Sequence, residues 1–169
     1  MYFKAMPKLV YPTSAGQIIS KDIFRRVGLD RSLTSKTSLT SYYLQEGETP
    51  EGISHVFYGS TDYHWVILIT NNIVNVNDEW PRRQSNLFEY TESKHGVGNA
   101  TEVHHYRIKG SNPSIIVDLD ETKLSEGTIE SVSNYAYEEE VNDSKRQIFL
   151  LQPEYLKQFI TSYKKLMAQ

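Results

Sequence analysis

Five histidines and two acidic clusters are the residues whose types could carry chemistry in this chain. His104 and His105 are adjacent in a stretch of strand character, where successive side chains point to opposite faces. The spacing therefore predicts that they do not share a metal ion. His55 and His64 fall on separate predicted helices, with no acidic partner at a spacing such as HExxH. Glu138, Glu139 and Glu140, and Asp118, Asp120 and Glu121, are carboxylate clusters of the kind glycoside hydrolysis uses. That reaction needs two carboxylates at a set separation across a cleft, whereas neighbours along a strand alternate sides. Both clusters read instead as solvated acidic edges that discourage strand-to-strand association. No GxSxG, P-loop or GxGxxG occurs, and the absence of cysteine removes thiol nucleophiles, thiolate metal sites and disulfides. Ser, His and Asp are present without triad spacing. The sequence predicts no catalytic residue, no metal and no cofactor.

The elements that would position a site are clearest across residues 41–72. Tyr42, Tyr43 and Leu44 suit a strand, and Glu46, Gly47 and Glu48 a turn. Thr49 reads as a helix N-cap with Pro50 at the first helical position, where a missing N–H costs nothing. Ile53, Val56 and Phe57 follow at i, i+3, i+4 as one apolar stripe. Gly59 stands where a left-handed C-cap belongs, and Ser60 or Thr61 restarts a helix that is apolar almost all round. Ile53, Val56, Phe57, Trp65, Ile67 and Leu68 are expected to pack together. Residues 72–76 alternate polar and apolar and read as a returning strand.

Further on, Trp80-Pro81 opens a predicted helix to about Lys94, stopped by His95-Gly96. Residues 101–109 and 114–119 read as a hairpin around Gly110, Ser111, Asn112 and Pro113. Residues 132–141 and 147–151 read as two more strands, separated by Asn142, Asp143 and Ser144. Pro153 then starts a helix in which Leu156, Phe159, Ile160, Tyr163, Leu166 and Met167 form a stripe. Lys164 and Lys165 sit in its last turn, favourable to the helix dipole.

The first forty residues lack a clear period and read as an extended arm. Residues 1–36 hold seven Lys/Arg against two Asp/Glu, while the remainder holds eleven against nineteen. A basic arm on an acidic body suits docking to a complementary protein surface. Lys21, Arg25, Arg26 and Arg31 read as a solvated face, so nucleic acid is not expected. The N-terminal MYFKAMPKLVYP has no apolar run of signal-peptide length, and no segment approaches a membrane span. Twelve tyrosines in 169 residues offer amphipathic bodies suited to wet protein interfaces.

The order strand–GET–helix–YG–helix–N in residues 41–72 resembles the LysM module, in which two strands sandwich two helices. The longer pattern GETPEGISHVFYGSTDYHWVILITNNI, followed by Trp80-Pro81, resembles the LysM-like wedge subunit of contractile phage baseplates, numbered fifty-three in T-even phage. Val141 to Ile148 (VNDSKRQI) resembles that family's C-terminal segment, and Lys21 to Arg26 (KDIFRR) a motif of its N-terminal arm. Residues 93–130 carry little of the likeness.

The resemblance implies an α+β fold: a LysM-like βααβ core with an extended N-terminal arm and a C-terminal β-rich part ending in an amphipathic helix. The expected divisions are residues 1–40, 41–78 and 79–169. It implies a non-enzymatic virion protein, made in the host cytoplasm, that joins neighbouring wedge proteins in several symmetry-related copies. Its expected partners are other wedge proteins and hub or tail-sheath proteins, with neither nucleic acid nor membrane. The expected contact residues are Tyr2, Phe3, Tyr11, Ile23, Phe24, Arg25 and Arg26 in the arm. Tyr135, Tyr137, Phe149 and Tyr163 are expected to add contacts from the C-terminal part, because aromatics and arginine most often dominate interface energetics. The LysM likeness also carries an alternative, binding of peptidoglycan or other N-acetylglucosamine polymers. Its groove would be lined by Gly47, Glu48, Thr49, Pro50, Asn71 and Asn72. A single copy without a Ser/Thr/Asn linker, and proline at position 50, favour a protein-docking use.

Overall fold

A computed structural model describes residues 6–23, 27–28, 37–111, 114–117 and 129–168. In chain order its elements are β1 (Lys8–Thr13), β2 (Gly16–Lys21), β3 (Leu39–Tyr43), α1 (Pro50–Tyr58), α2 (His64–Thr70) and α3 (Val76–Glu79). Then come α4 (Gln84–His95), β4 (Val103–Ile108), β5 (Ile116–Val117), β6 (Ile129–Ser133), α5 (Asn134–Ser144), β7 (Gln147–Leu151) and α6 (Leu156–Met167). The fold is α+β. It divides into two compact units, Met1–Glu79 with Gln147–Gln169, and Trp80–Arg146.

In the first unit the local signals act as their chemistry dictates. The Thr49 hydroxyl accepts from Gly52 N–H (3.2 Å), Pro50 opens α1, and Gly59 ends it at φ 75°, a left-handed conformation open to glycine. Ser60 caps a 3-10 turn, Thr61–Tyr63, that leads into α2. Trp65, Val66 and Ile67 of α2 are buried. Trp65 packs on Phe159 and Tyr163 of α6, with ring centroids 5.6 and 4.8 Å apart. Met6, Val66, Leu151 and Met167 complete this core, and Val27 and Leu39 pack against it. Of the expected cluster, Trp65 alone belongs to this core. Ile53 and Ile67 are buried outside it, Phe57 and Leu68 are half-buried, and Val56 is 86% exposed.

The predicted returning strand at residues 72–76 is not one. Glu79 accepts from Asn75 N–H (2.8 Å) and Val74 N–H, Asn75 Oδ1 accepts from Asn77 N–H, and the segment turns into α3. These side chains satisfy the first donors of a helix, which a ladder would otherwise have to engage. The partner of β3 is β7, antiparallel, with Leu39 opposite Leu151 and Tyr42 opposite Ile148. The chain runs through the whole second unit before this strand returns. The Tyr58 hydroxyl donates to Leu151 O (2.8 Å), tying α1 to β7.

In the second unit α4 begins at Gln84, later than Pro81, because Arg83 is still extended at φ −64°, ψ 143°. The Asn142 side chain accepts from Arg82 N–H (2.7 Å) and donates to Arg82 O (3.0 Å). The sheet order is β5–β4–β6, all antiparallel, so the predicted hairpin forms, with β5 reduced to two described residues. The predicted strand at 132–141 is corrected. Only its start belongs to β6, and from Asn134 onward it is helix. Ser133 accepts from Ala136 N–H (3.1 Å) as N-cap, and Ala136 with three glutamates favours helix over the strand that Tyr135, Tyr137 and Val141 suggested.

Candidate protein interface

Among the described residues the β1–β2 hairpin exposes four large apolar side chains. A two-residue turn, Ser14-Ala15, joins the strands, Gly16 takes φ 128°, and the Thr13 hydroxyl donates to Gly16 O (2.6 Å). Directly opposite residues share a face in an antiparallel pair. Val10 therefore stands beside Ile19, and Tyr11 beside Ile18 on the other face. These four are 54%, 64%, 48% and 57% exposed, so neither face is packed on a core. Met6, just before the hairpin, is buried in the core, and Val27 beyond it packs there too.

Of the residues expected to line a glycan groove, Gly47, Glu48 and Thr49 lie in the β3–α1 loop with Pro50 opening α1, and the Glu48 and Thr49 side chains are already hydrogen-bonded. The Glu48 carboxylate accepts from Tyr42 OH and Gln45 N–H, both at 2.8 Å. That hydrogen bond, helped by burial, raises the Tyr42 hydroxyl above its ordinary pKa. Thr49 is the N-cap of α1, Pro50 is buried at its first turn, and Gly47 takes φ 77° in the turn. A cavity of about 310 Å³ beside this loop is mainly apolar, lined by Tyr42, Gly47, Glu48, Thr49, Gly52, Ile53, Val56, Phe57 and Leu150. Asn71 and Asn72 do not line it. Asn71 is bonded to the backbone of Phe149, and Asn72 takes φ 56° after α2.

In the second unit the acidic and histidine clusters meet, which the sequence reading did not anticipate. Glu138, 2% exposed at its side chain, accepts from Lys94 Nζ and His95 Nε2, both at 2.8 Å. Burial pushes its carboxyl pKa up, but the hydrogen bonds from Lys94 and His95 hold it below the usual range. Glu139 accepts from Gln84, and Glu140 from Arg107, which also donates to Glu130. The three glutamates are therefore paired side chains of a helix, not the bare edge of a strand. Asp118, Asp120 and Glu121 lie outside the described residues.

The expectation that His104 and His105 diverge is also corrected. A register shift between Val103 and His105 breaks the alternation, and the two Nδ1 atoms lie 2.9 Å apart. His104 stacks on Tyr137 at 3.9 Å and meets His95 edge-on at 5.7 Å. Burial, then the neighbouring His105 and His95, lower its pKa. Among the described residues no group of three or more His, Asp or Glu could hold a metal ion.

The expected contact residues differ widely in exposure where they are described. Tyr2, Phe3, Phe24, Arg25 and Arg26 lie outside the described residues. Tyr11, Ile23 and Phe149 are 48%, 62% and 48% exposed. Tyr135 accepts from Gln84, and Tyr137 is stacked on His104. Tyr163 is corrected: at 3% exposed it belongs to the α6 core face and has almost no surface to offer. The sequence reading missed Val10, Ile18 and Ile19. Their signal was two β-branched runs flanking a Ser-Ala-Gly turn.

A family model described as base plate wedge protein 53 matches residues 2–123. No curated protein matches the chain.

Proposed function

The chain belongs to the base plate wedge protein 53 family of phage, and on that premise we propose that it joins neighbouring wedge proteins during baseplate assembly. As a baseplate wedge subunit it is a structural component of the virion that assembles with other baseplate proteins. The finer reading is of a non-enzymatic connector, made in the host cytoplasm and present in several symmetry-related copies that reach hub or tail-sheath proteins. Its core is LysM-like, with β3, α1, α2 and β7 as the βααβ motif and β7 as the second strand. The observation that carries the connector role is the β1–β2 hairpin, whose faces expose Val10 with Ile19 and Tyr11 with Ile18. Apolar pairs exposed on both faces of one hairpin are surface that a protein partner can cover. The first forty residues supply the connecting arm, with Ile23, Phe149 and the residues around them as further contacts.

Cryo-electron microscopy of the parent particle tests this directly. Density for the chain between wedge subunits is the expected result. Deleting residues 2–36 should stop baseplate assembly, and normal yields of contractile baseplates from that deletion would end the connector role.

A further inference from the structure

We propose that the surface shared by α4 and α5, at Phe88, Tyr135 and Glu139, receives an arginine side chain of another baseplate protein. The inference rests on the connector reading above and adds to it a contact made by the second unit.

Spacing builds the surface. Gln84 and Phe88 stand one turn apart on α4, and Tyr135 and Glu139 one turn apart on α5, so each pair lies on one side of its helix. Gln84 Nε2 joins the two helices, donating to Tyr135 OH (2.6 Å) and to Glu139 Oε1 (2.8 Å). The ring centroids of Phe88 and Tyr135 are 6.1 Å apart, and Phe88 is 52% exposed. Burial, then the Glu139 charge beside it, raises the Tyr135 hydroxyl above its ordinary pKa. Two aromatic rings and a half-buried carboxylate therefore meet at the surface.

Charge identifies the occupant. The other acidic side chains of α5 each hold a cation: Glu138 has Lys94 and His95, Glu140 has Arg107, and Asp143 has Arg146. Glu139 pairs with no lysine, arginine or histidine among the described residues, and its partner is the neutral Gln84 amide. Glu92, one turn beyond Phe88, likewise has neutral partners, the backbone N–H groups of Gly98 and Ala100. A guanidinium suits this place better than an ammonium, because its plane lies on a ring while its edge donates to a carboxylate. The same unit already makes one such ring contact within itself, with Arg82 over the Tyr90 ring at 4.0 Å. A second copy of this chain docked through the same surface would set carboxylate against carboxylate instead.

The test puts a photo-crosslinking residue in place of Ser85, which is exposed one turn before Phe88, and irradiates purified baseplates. The expected product links position 85 to an arginine-bearing stretch of a different baseplate protein, located by mass spectrometry. Glu139→Gln keeps an acceptor for Gln84 but removes the charge, and should lower the crosslink yield roughly tenfold. Phe88→Ala removes an exposed ring and should lower it similarly. Glu89→Gln removes a charge from the next residue, outside the row of Gln84 and Phe88, and should leave the yield within about twofold. A link to another copy of this chain, a link to a stretch without arginine, or no link in baseplates that contain the chain overturns the arginine site alone. So does an unchanged yield from Glu139→Gln, or an equal loss from Glu89→Gln. Absence of the chain from the baseplates overturns the connector reading as well.

Discussion

Asn71 grips the backbone of Phe149 at both of its polar groups. Its Nδ2 donates to Phe149 O and its Oδ1 accepts from Phe149 N–H, each at 2.8 Å. Gln152 N–H donates to Ser38 O, which sets the phase of the β3–β7 ladder and leaves Phe149 facing away from β3. The asparagine amide therefore stands in for a third strand at the outer edge of β7, and Nδ2 also reaches Ile67 O (2.8 Å) to fix the end of α2. Asn71→Ala should cost about 1–2 kcal/mol, the loss of these three bonds partly replaced by water. Urea denaturation reads this as a lower midpoint at unchanged slope. A variant as stable as the parent would mean that Asn71 does not hold the edge.

Trp65 is the centre of the first unit's core, 6% exposed between Phe159 and Tyr163. Trp65→Ala should destabilise by about 3–5 kcal/mol, a large fraction of a small unit's stability. An unchanged denaturation midpoint would contradict this packing.

What could be read from the sequence was what depends on near neighbours. Thr49-Pro50 opens α1 and Gly59 closes it because caps are settled within a turn of chain. The stripe of α6 is legible for the same reason. The return of β7 to β3 was not, because pairing across residues 44–146 leaves no local mark, whereas residues 72–76 imitate a strand. The 132–141 segment failed where Tyr and Val outweighed a serine cap. His104 and His105 failed on one register shift, which periodicity cannot reveal. The apolar stripe of α1 was read too wide. Among the candidate contacts, Tyr163 shows why an aromatic on an amphipathic helix is ambiguous, since core and interface favour the same residue.

Ile53 and Val56 make that last distinction measurable. They lie one turn apart on α1, yet Ile53 is 4% exposed and Val56 86%. Ile53→Ala should cost about 2–4 kcal/mol, while Val56→Ser should stay within about 0.5 kcal/mol of the parent. Similar losses from both substitutions would return Val56 to the core.

Acid should loosen the second unit in two stages. The pKa of His104, an exposed residue whose ring stacks on Tyr137, is lowered by partial desolvation of the ring and then by His105, His95 and Lys94 around it, with Glu138 alone acting in the opposite sense. Its Nδ1 contact with His105 needs one ring to donate and the other to accept, so protonating both rings removes the acceptor. A histidine whose folded pKa lies below the unfolded value binds fewer protons when folded. Its contribution is present at neutral pH and is lost as pH falls below 6.5 through the lowered value. Glu138 has a lowered carboxyl pKa, so its contribution is present above 4.5 and is lost below that as the carboxylate gives up Lys94 and His95. The urea midpoint of the full chain should therefore fall between about pH 7 and pH 5, and fall again under stronger acid. His104→Phe keeps a ring on Tyr137 and has no proton to take up, so it should flatten the first fall and leave the second. Side-chain NMR of the histidines supplies an independent reading, with His104 titrating below the ordinary histidine range. A midpoint that is level from neutral pH to pH 5, or a first fall of the same size in His104→Phe, would remove His104 from this role.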